Sequence, residues 1–447
     1  MSFGDLTGNR EVARAARQRN NIGRGNMNRG RLSILGIVIA MMLVIASCSD
    51  SDSDDTTTTT SGETPTSQAD VAAGEPYVLG CLTDLSGPTA STYGTSAEGL
   101  DLYVKALNDR GGIDGHPVEL LMEDGVLDAA ATAGLAVKLI TEDDVTAIVC
   151  GSLSGIQPII HAEAAEAKIP FIAGVSANPD LAFSGAPYYY SIGDEFTILG
   201  EVGGTFAKEI ADVGKATCTA FESAGGRAFC DGAMAAAAVD GWETDAVFIP
   251  PTTTEYDPIA QLLVDTSPDV VISAASGEQL PLIWPALRRA GFEGAMLQGA
   301  TSIRPEETVP IAVAEASGAP GDYYVYGRYR SSADPKSADL LAAVDSYGST
   351  HAPSMNHVNG WALGAIMEEA LSQCGFPCDG SALDGILNTL SFDAYGPEGL
   401  AYGPITFTSD NHYGPTFQVI MQFDGDTGEF TEVTRLEKPA LPEFPAS

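Results

Sequence analysis

Two short runs of small polar residues could do chemistry: Gly151-Ser152-Leu153-Ser154-Gly155 and Gly174-Val175-Ser176-Ala177-Asn178-Pro179. Glycine and serine at a strand end, just ahead of a helix, leave backbone N–H groups exposed beside the positive end of the helix dipole. A carboxylate or similar anion needs such groups. Ordinary turns and N-caps use the same residues, so both readings stand at this point. Catalytic arrangements are weaker. The sequence contains no GxxxxGK[ST] phosphate loop and no HExxH. Leu153 stands where a GxSxG elbow would need its nucleophile. His116, His161, His351, His357 and His412 lie in no motif that pairs one of them with a nucleophile, and nothing nominates a carboxylate pair among the sixty acids. The expectation is a binding protein and not an enzyme, without a cofactor.

These loops must be carried by strands and helices. Tyr77–Asp124 reads as an apolar strand, a Gly/Ser/Thr loop, a long amphipathic helix and a second strand. Leu100, Tyr103, Val104 and Leu107 recur at helical spacing, and Gly111-Gly112 with Gly115 turn the chain into Val118–Met122. The alternation continues with helices over Ala129–Ile140 and Ile156–Ala167 and strands over Val145–Cys150, Ile169–Ala173 and Tyr188–Ile192. A second series follows the helix Thr197–Val213. Its strands are Ala216–Phe221, Ala246–Ile249, Val270–Ala274 and Ala295–Gln298, with helices near Ala233–Val239, Pro258–Asp265, Gln279–Ala290 and Val309–Ala316. Strands alternating with helices imply parallel sheets covered on both faces, with ligands at the carboxyl ends of the strands.

The segment from Leu85-Ser86-Gly87-Pro88 through Tyr93-Gly94, Ala106-Leu107-Asn108, Gly111-Gly112-Ile113, Glu119-Leu120 and Glu123-Asp124 resembles the opening of the type I periplasmic binding proteins. The likeness is to the leucine/isoleucine/valine-binding (branched-chain amino acid) type of ABC-importer receptor, and it continues more weakly to about Asp424. The resemblance implies an α/β fold of two doubly wound parallel-sheet lobes joined by a three-crossing hinge. It implies a first lobe over 76–193 plus 325–400 and a second over 194–324 plus 401–440. Asp322–Tyr326 is expected to return the chain to the first lobe, where Ser337–Tyr347 and His357–Ser372 are helices. Gly403–Phe407 and Thr416–Phe423 are expected to be closing strands of the second lobe.

The resemblance also implies site residues. Ser152 and Ser154 fall in the first carboxylate-binding loop, Ser176 and Ala177 in the second, and Tyr93 matches an aromatic that lines the pocket. Asp194 matches the carboxylate that holds a ligand's ammonium, with the N-cap of the next helix as its alternative role. Phe229 stands in Phe229-Cys230-Asp231-Gly232, where the family has a Tyr-Gly-x-Gly loop, and is expected to supply an aromatic wall. Thirdly, Thr301 occupies a place where amino-acid binders commonly have Glu. Glu278 is a candidate to compensate for that loss; otherwise the ligand is a carboxylate or amide without an amine.

The amino-terminal end is of another character. Residues 1–31 hold seven arginines against Asp5 and Glu11, and Leu32–Ala46 is an apolar run of 15 residues, short for a membrane span and right for a signal-peptide core. It runs into Ile45-Ala46-Ser47-Cys48, which resembles a bacterial lipobox with Cys48 as the lipidated residue. Residues 1–47 thus read as a lipoprotein signal peptide, with Met27 as an alternative start, and 48–75 as a disordered acidic and Thr-rich tether. The formal charge is −38, and removing 1–47 leaves about −43. That balance argues against a nucleic-acid partner. The other cysteines, Cys81, Cys150, Cys218, Cys230, Cys374 and Cys378, favour disulfides in an exported chain. They admit fifteen pairings, of which Cys81–Cys150, Cys218–Cys230 and Cys374–Cys378 are preferred, and their spacing does not suit a metal site.

Together these readings lead to a lipid-anchored solute-binding protein on the outer face of the cytoplasmic membrane. It would capture an amino acid or a related carboxylate or amide and hand it to an ABC importer permease with a separate ATPase. A sensor domain signalling through a partner in trans is the alternative, and an envelope hydrolase is the third reading.

Overall fold

In a computed structural model, residues 74–210, 214–250, 253–275, 279–299, 305–316, 323–332, 334–392, 403–415 and 417–437 are described. The chain begins with β1 (Tyr77–Thr83), α1 (Ala90–Asp109), β2 (Val118–Asp124), α2 (Ala129–Thr141), β3 (Ala147–Cys150), α3 (Gln157–Ala167), β4 (Phe171–Ala173), α4 (Pro179–Ala182) and β5 (Tyr189–Ser191). The five strands form one parallel sheet in the order β2-β1-β3-β4-β5. Every residue of β3, β4 and β5 is buried. That is the pattern of parallel strands covered on both faces, and it explains why they are continuous short apolar runs rather than alternating ones.

The chain then enters α5 (Phe196–Ile210), β6 (Lys215–Phe221), α6 (Ala224–Val239), β7 (Glu243–Ile249), α7 (Asp257–Asp265), β8 (Val270–Ser273), α8 (Leu280–Arg289), β9 (Ala295–Gly299), α9 (Pro305–Ala316) and β10 (Tyr323–Gly327). It returns to the first sheet's side through α10 (Ala338–Tyr347), α11 (Met355–Cys374) and α12 (Gly380–Leu387), with α11 packed along α1. The remaining strands are β11 (Ser391–Phe392), β12 (Ile405–Thr406), β13 (Phe417–Asp424) and β14 (Glu429–Glu437). The second sheet has the order β14-β13-β10-β9-β8-β6-β7. It is parallel from β10 to β7, with β13 and β14 added antiparallel at one edge. Two α/β lobes of this kind are what the alternating pattern implied.

Three segments connect the two sheets: 192–195 between β5 and α5, the stretch from Arg328 after β10, and 412–415 ahead of β13. The first and third lie side by side. Ser191 N–H donates to the His412 carbonyl at 2.9 Å, and Gly414 N–H donates to the Ser191 carbonyl at 2.9 Å.

Four expectations need correction. Gly403–Phe407 does not close the second sheet; Ile405–Thr406 pairs antiparallel with Ser391–Phe392 in a separate ribbon. The strand Glu429–Glu437 was not anticipated, because EFTEVTRLE is polar and forms the sheet's outer edge. The strand expected at Asp322–Tyr326 extends to Gly327 within the second sheet, so the return to the first lobe starts at Arg328 and not at 325. Lastly, α6 begins at Ala224, nine residues before the expected helix at Ala233. Ser223 caps it by accepting from Gly226 N–H at 3.1 Å.

Glycines set the closest helix contacts. A Cβ on Gly360 of α11 would lie 1.7 Å from the Ser96 carbonyl oxygen of α1, and one on Gly200 of α5 would lie 1.9 Å from the Phe229 carbonyl oxygen of α6. Only hydrogen fits there, so backbones meet directly. Disulfides join Cys81 of β1 to Cys150 of β3, Cys218 of β6 to Cys230 of α6, and Cys374 to Cys378 at the end of α11.

Candidate functional site

The carboxyl ends of β1, β3 and β4 meet in a buried polar network. Asp84, directly after β1, is fully buried, and its Oδ2 accepts from Ser152 Oγ at 2.6 Å and from Thr89 Oγ1 at 3.0 Å. Its Oδ1 accepts from Leu127 N–H at 2.8 Å. A buried carboxylate needs such donors, and here the loops supply them. The Ser152 hydroxyl is therefore committed to Asp84.

Ser176 sits at the centre of the network. Its Oγ accepts from the Tyr93 hydroxyl at 3.0 Å and from Gln157 Nε2 at 3.0 Å, and donates to the Ser152 carbonyl at 3.2 Å. Gln157 opens α3 and is fully buried. Its Nε2 also reaches the carbonyls of Ser152 at 2.9 Å and Ser176 at 2.8 Å, while its Oε1 accepts from the Tyr189 hydroxyl at 2.6 Å. One amide side chain thus stitches both Gly/Ser loops together. Burial first, and then the charges of Asp84 and Asp194, push the Tyr93 hydroxyl pKa up against the opposing Ser176 hydrogen bond. Tyr93 therefore acts as a neutral donor. Ser154 takes part through its backbone: its carbonyl accepts from Asn178 Nδ2 at 3.0 Å. Ala177 N–H donates to the Asp194 carbonyl at 2.8 Å, so that amide is already occupied.

Asp194 lies in the first crossing. Its backbone N–H donates to the Val175 carbonyl at 2.9 Å, and its carboxylate is buried. Arg328, from the second crossing, donates through one terminal nitrogen to Asp194 Oδ1. Gln418 of β13, just past the third crossing, donates to the same oxygen at 3.3 Å. The first two connections, and β13 into which the third leads, are thereby tied at one carboxylate. The neighbouring Glu195, not Asp194, caps α5, accepting from Thr197 N–H and Ile198 N–H at 3.0 Å each.

A recess is lined by Val175, Asp194, Arg328, Tyr329, Asn356 and Asn359 among others, and encloses a cavity of about 20 Å³. That is room for roughly one water, far below the roughly 300–1,000 Å³ typical of small-molecule sites. Asn359 is anchored: its Nδ2 donates to the Gly174 carbonyl at 3.0 Å, and its Oδ1 accepts from Ser96 Oγ at 2.6 Å. Asn356 Nδ2 and Arg328 Nε are buried donors with no acceptor among the described residues.

Of the site residues expected from sequence, Tyr93, Ser152, Ser176 and Ala177 come together at the strand ends, Ser154 joins through its carbonyl, and Asp194 lines the recess. Phe229 does not supply an aromatic wall. It lies inside α6, fully buried in an apolar cluster with Leu199, Val202 and Leu297, because the helix takes up the stretch expected to be a loop. Glu278 and Thr301 lie outside the described residues, as does Cys48. Asp84, Gln157, Arg328 and Gln418 were missed. Arg328 carried a signal: Gly327-Arg328-Tyr329-Arg330 places two arginines together in a chain with 60 acids and 22 lysines and arginines. Among the described residues, no group of His, Cys, Asp and Glu side chains could hold a metal ion, and no helix is long and apolar enough to cross a membrane.

A family model described as periplasmic binding protein matches residues 76–428. No curated protein is matched in sequence. Solved structures are similar in fold. An ABC transporter substrate-binding protein from Aeropyrum pernix is 18% identical with a TM-score of 0.70, over 83% of this chain and 98% of that one. A branched-chain amino acid ABC transporter protein from Thermus thermophilus with bound valine is 18% identical with a TM-score of 0.68, over 81% of this chain and 96% of that one. A solute-binding protein of an ABC transporter from R. palustris in complex with benzoate is 19% identical with a TM-score of 0.67, over 82% of this chain and 98% of that one.

Proposed function

From the premise that this chain belongs to the periplasmic binding protein family, we propose that it is the solute receptor of an ABC importer. In this reading Cys48 carries a lipid that holds the protein to the outer face of the cytoplasmic membrane, and 48–75 is the tether. The two lobes take up a small polar solute, an amino acid or a related carboxylate or amide, and present it to a permease whose separate ATPase drives transport. The observation that carries the reading is the single carboxylate, Asp194, which lies in the first interlobe connection and holds Arg328 of the second and Gln418 of β13, beyond the third. A ligand bound between the lobes acts on the segments that a hinge motion must bend. Binding energy that differs between open and closed arrangements then shifts the population toward closure.

The Gly/Ser loops have a supporting part. The Ser152 and Ser176 hydroxyls and carbonyls are engaged by Asp84, Gln157 and one another, which holds the two loops in a fixed arrangement. Preorganisation of that kind lowers the ordering cost of binding.

The test is a thermal-shift panel of amino acids, small carboxylates, amides and urea on the full chain in mild detergent. Mass spectrometry of ligand recovered from the purified protein runs beside it. Stoichiometric binding of a solute that is recovered unchanged is expected. Conversion of the bound solute to a product would replace the receptor by an envelope hydrolase. Lipid on Cys48 is checked by the mass of the amino-terminal fragment, and by release of a Cys48→Ala variant from the membrane fraction.

A further inference from the structure

The three disulfides differ in how the fold holds them. Cys81, Cys150, Cys218 and Cys230 are buried within the two lobes, none more than 7% exposed. Cys374 closes α11 and is half-buried, and the chain reaches Cys378 through Gly375, Phe376 and Pro377, the last two exposed. Only four positions separate this pair, against 69 and 12 for the others, so closing it removes the least chain entropy. A disulfide that a thiolate can reach, and whose loss costs the fold little, exchanges readily. One sealed in a core exchanges only when the core opens.

The short loop carries a residue that gives this bond a consequence. Phe376 stacks on the His116 ring, with centroids 3.9 Å apart and planes 13° apart, and meets Tyr77 edge-on at 5.1 Å. His116 Nδ1 lies 2.8 Å from the Glu75 carbonyl oxygen, and a Cβ on Gly74 would stand 2.4 Å from that nitrogen. Gly74 N–H donates to the Gly115 carbonyl at 3.0 Å, and Tyr77 N–H donates to the Pro117 carbonyl at 2.9 Å. The start of β1 is thus laid along residues 115–117, and Phe376 braces the imidazole that holds it there. Ring pairs of this kind add stability only while both rings are kept in place. The disulfide keeps Phe376 in place by fixing the chain on either side of it.

We propose that Cys374–Cys378 is a thiol-exchange site, and that its reduction by a dithiol loosens the start of β1 by releasing Phe376 from His116. One thiolate of the dithiol attacks the sulfur of Cys374, the more exposed of the two residues. The S–S bond breaks, and Cys378 leaves as a thiolate and takes up a proton. The second thiolate of the dithiol then displaces Cys374 from the mixed disulfide. In all, two electrons and two protons pass to the cysteines, and the dithiol becomes a disulfide. The site is independent of the solute that the lobes take up. Only its meaning for an anchored protein, a longer free tether at Gly74, rests on the receptor reading.

The experiment exposes the full chain in mild detergent to dithiothreitol for increasing times and traps free thiols with N-ethylmaleimide. Peptide mass spectrometry reads each cysteine. Cys374 and Cys378 should be trapped on the order of 10- to 100-fold faster than the other two pairs, with the circular dichroism unchanged. Amide hydrogen exchange over residues 74–79 should then quicken by about threefold to tenfold, while exchange in β3 stays as it was. Phe376→Ala, with the disulfide intact, should quicken the same amides. A Cys374→Ser/Cys378→Ser variant should show the quickened exchange without dithiol and gain nothing further when dithiol is added.

Reduction of Cys81–Cys150 or Cys218–Cys230 first, or all three pairs at one rate, would overturn the exchange site. Selective reduction that leaves exchange over 74–79 unaltered, or a Phe376→Ala variant that exchanges there like the unaltered chain, would overturn the coupling to β1. Solute binding enters neither readout, so failure of the receptor reading is distinguishable from failure of this one.

Discussion

At the residue scale, the site is dominated by side chains that satisfy one another. Gln157 makes four hydrogen bonds to Ser152, Ser176 and Tyr189, and nothing in its neighbourhood in sequence announces this. A buried amide with donors and acceptors matched on both sides rigidifies its surroundings, and a half-matched one would be destabilising. Glu201 of α5 is the counter-example. Burial, and then the charge of Glu195, push its carboxyl up to about 7, and its Oε2 has no partner among the described residues. The folded pKa lies above the ordinary value of 4.5. The protonated form is therefore the one the fold favours. Its contribution is fully present below pH ~4.5 and is lost as the pH rises through about 7. Glu201→Gln keeps the shape and removes the titration. Its stability relative to the unaltered chain should increase between pH 5 and pH 8, by roughly 1–3 kcal/mol after allowing for partial exposure. Urea melts at the two pH values read this directly; a difference that is the same at both would show that Glu201 is already solvated.

At the element scale, the glycines divide into those that permit contact and those that only weaken a helix. Gly360 lies where α11 meets α1, and a Cβ there would stand 1.7 Å from the Ser96 carbonyl oxygen. Backbone cannot step aside as a flexible side chain can. Gly360→Ala should cost about 1–3 kcal/mol or more by forcing the helices apart. Gly134 of α2 has nothing within 4 Å of such a Cβ. Gly134→Ala should instead stabilise the chain by about 0.5–1 kcal/mol through helix propensity alone. Thermal melts of the two variants should move in opposite directions, and a shift of the same sign would disprove the contact argument.

This division also marks how far the sequence could be read. The strands of the first sheet were legible because AIVC and FIA are short apolar runs bounded by Gly and Pro signals. The start of α6 was not, because AGGRAFCDG has the glycines of a loop; Gly225 and Gly232 are there for close packing against α5, and Gly226 for close packing against the end of β6. The same misreading moved Phe229 from the core to the cleft. Ser152, Ser176 and Tyr93 were legible from the family-like loops. Arg328 and Gln418 were not, because their partner Asp194 is 134 and 224 positions away in sequence and only the crossing of the connections brings them together.

At the scale of the whole molecule, the excess of acid must be carried by the folded surface. The sequence has 60 Asp and Glu against 22 Lys and Arg, a formal charge of −38. Exposed ion pairs such as Lys138 with Glu123 and Asp143, both at 2.7 Å, relieve only a small part of it, and such pairs are individually weak. Salt acts on both terms in opposite senses. It screens those few attractions, and it screens repulsion among the many unpaired carboxylates that compaction brings closer together. With nearly three acids for every base, the repulsive term is the larger. The Debye length falls from about 30 Å at 0.01 M to about 3 Å at 1 M, so the whole range of interest is accessible with sodium chloride. The midpoint of thermal unfolding should rise by several degrees between about 0.01 M and 0.5 M salt, most steeply at the dilute end where screening changes fastest. A non-specific hydration effect would instead grow steadily at high concentration and would differ between chloride and sulfate at equal ionic strength. A midpoint that falls with added salt would mean that the surface ion pairs outweigh the repulsion. The Asp194–Arg328 pair is buried at the meeting of the crossings and is screened much less. Ligand affinity between the lobes should therefore change far less with salt than stability does, and measuring both on one salt series separates the charge of the surface from the charge of the site.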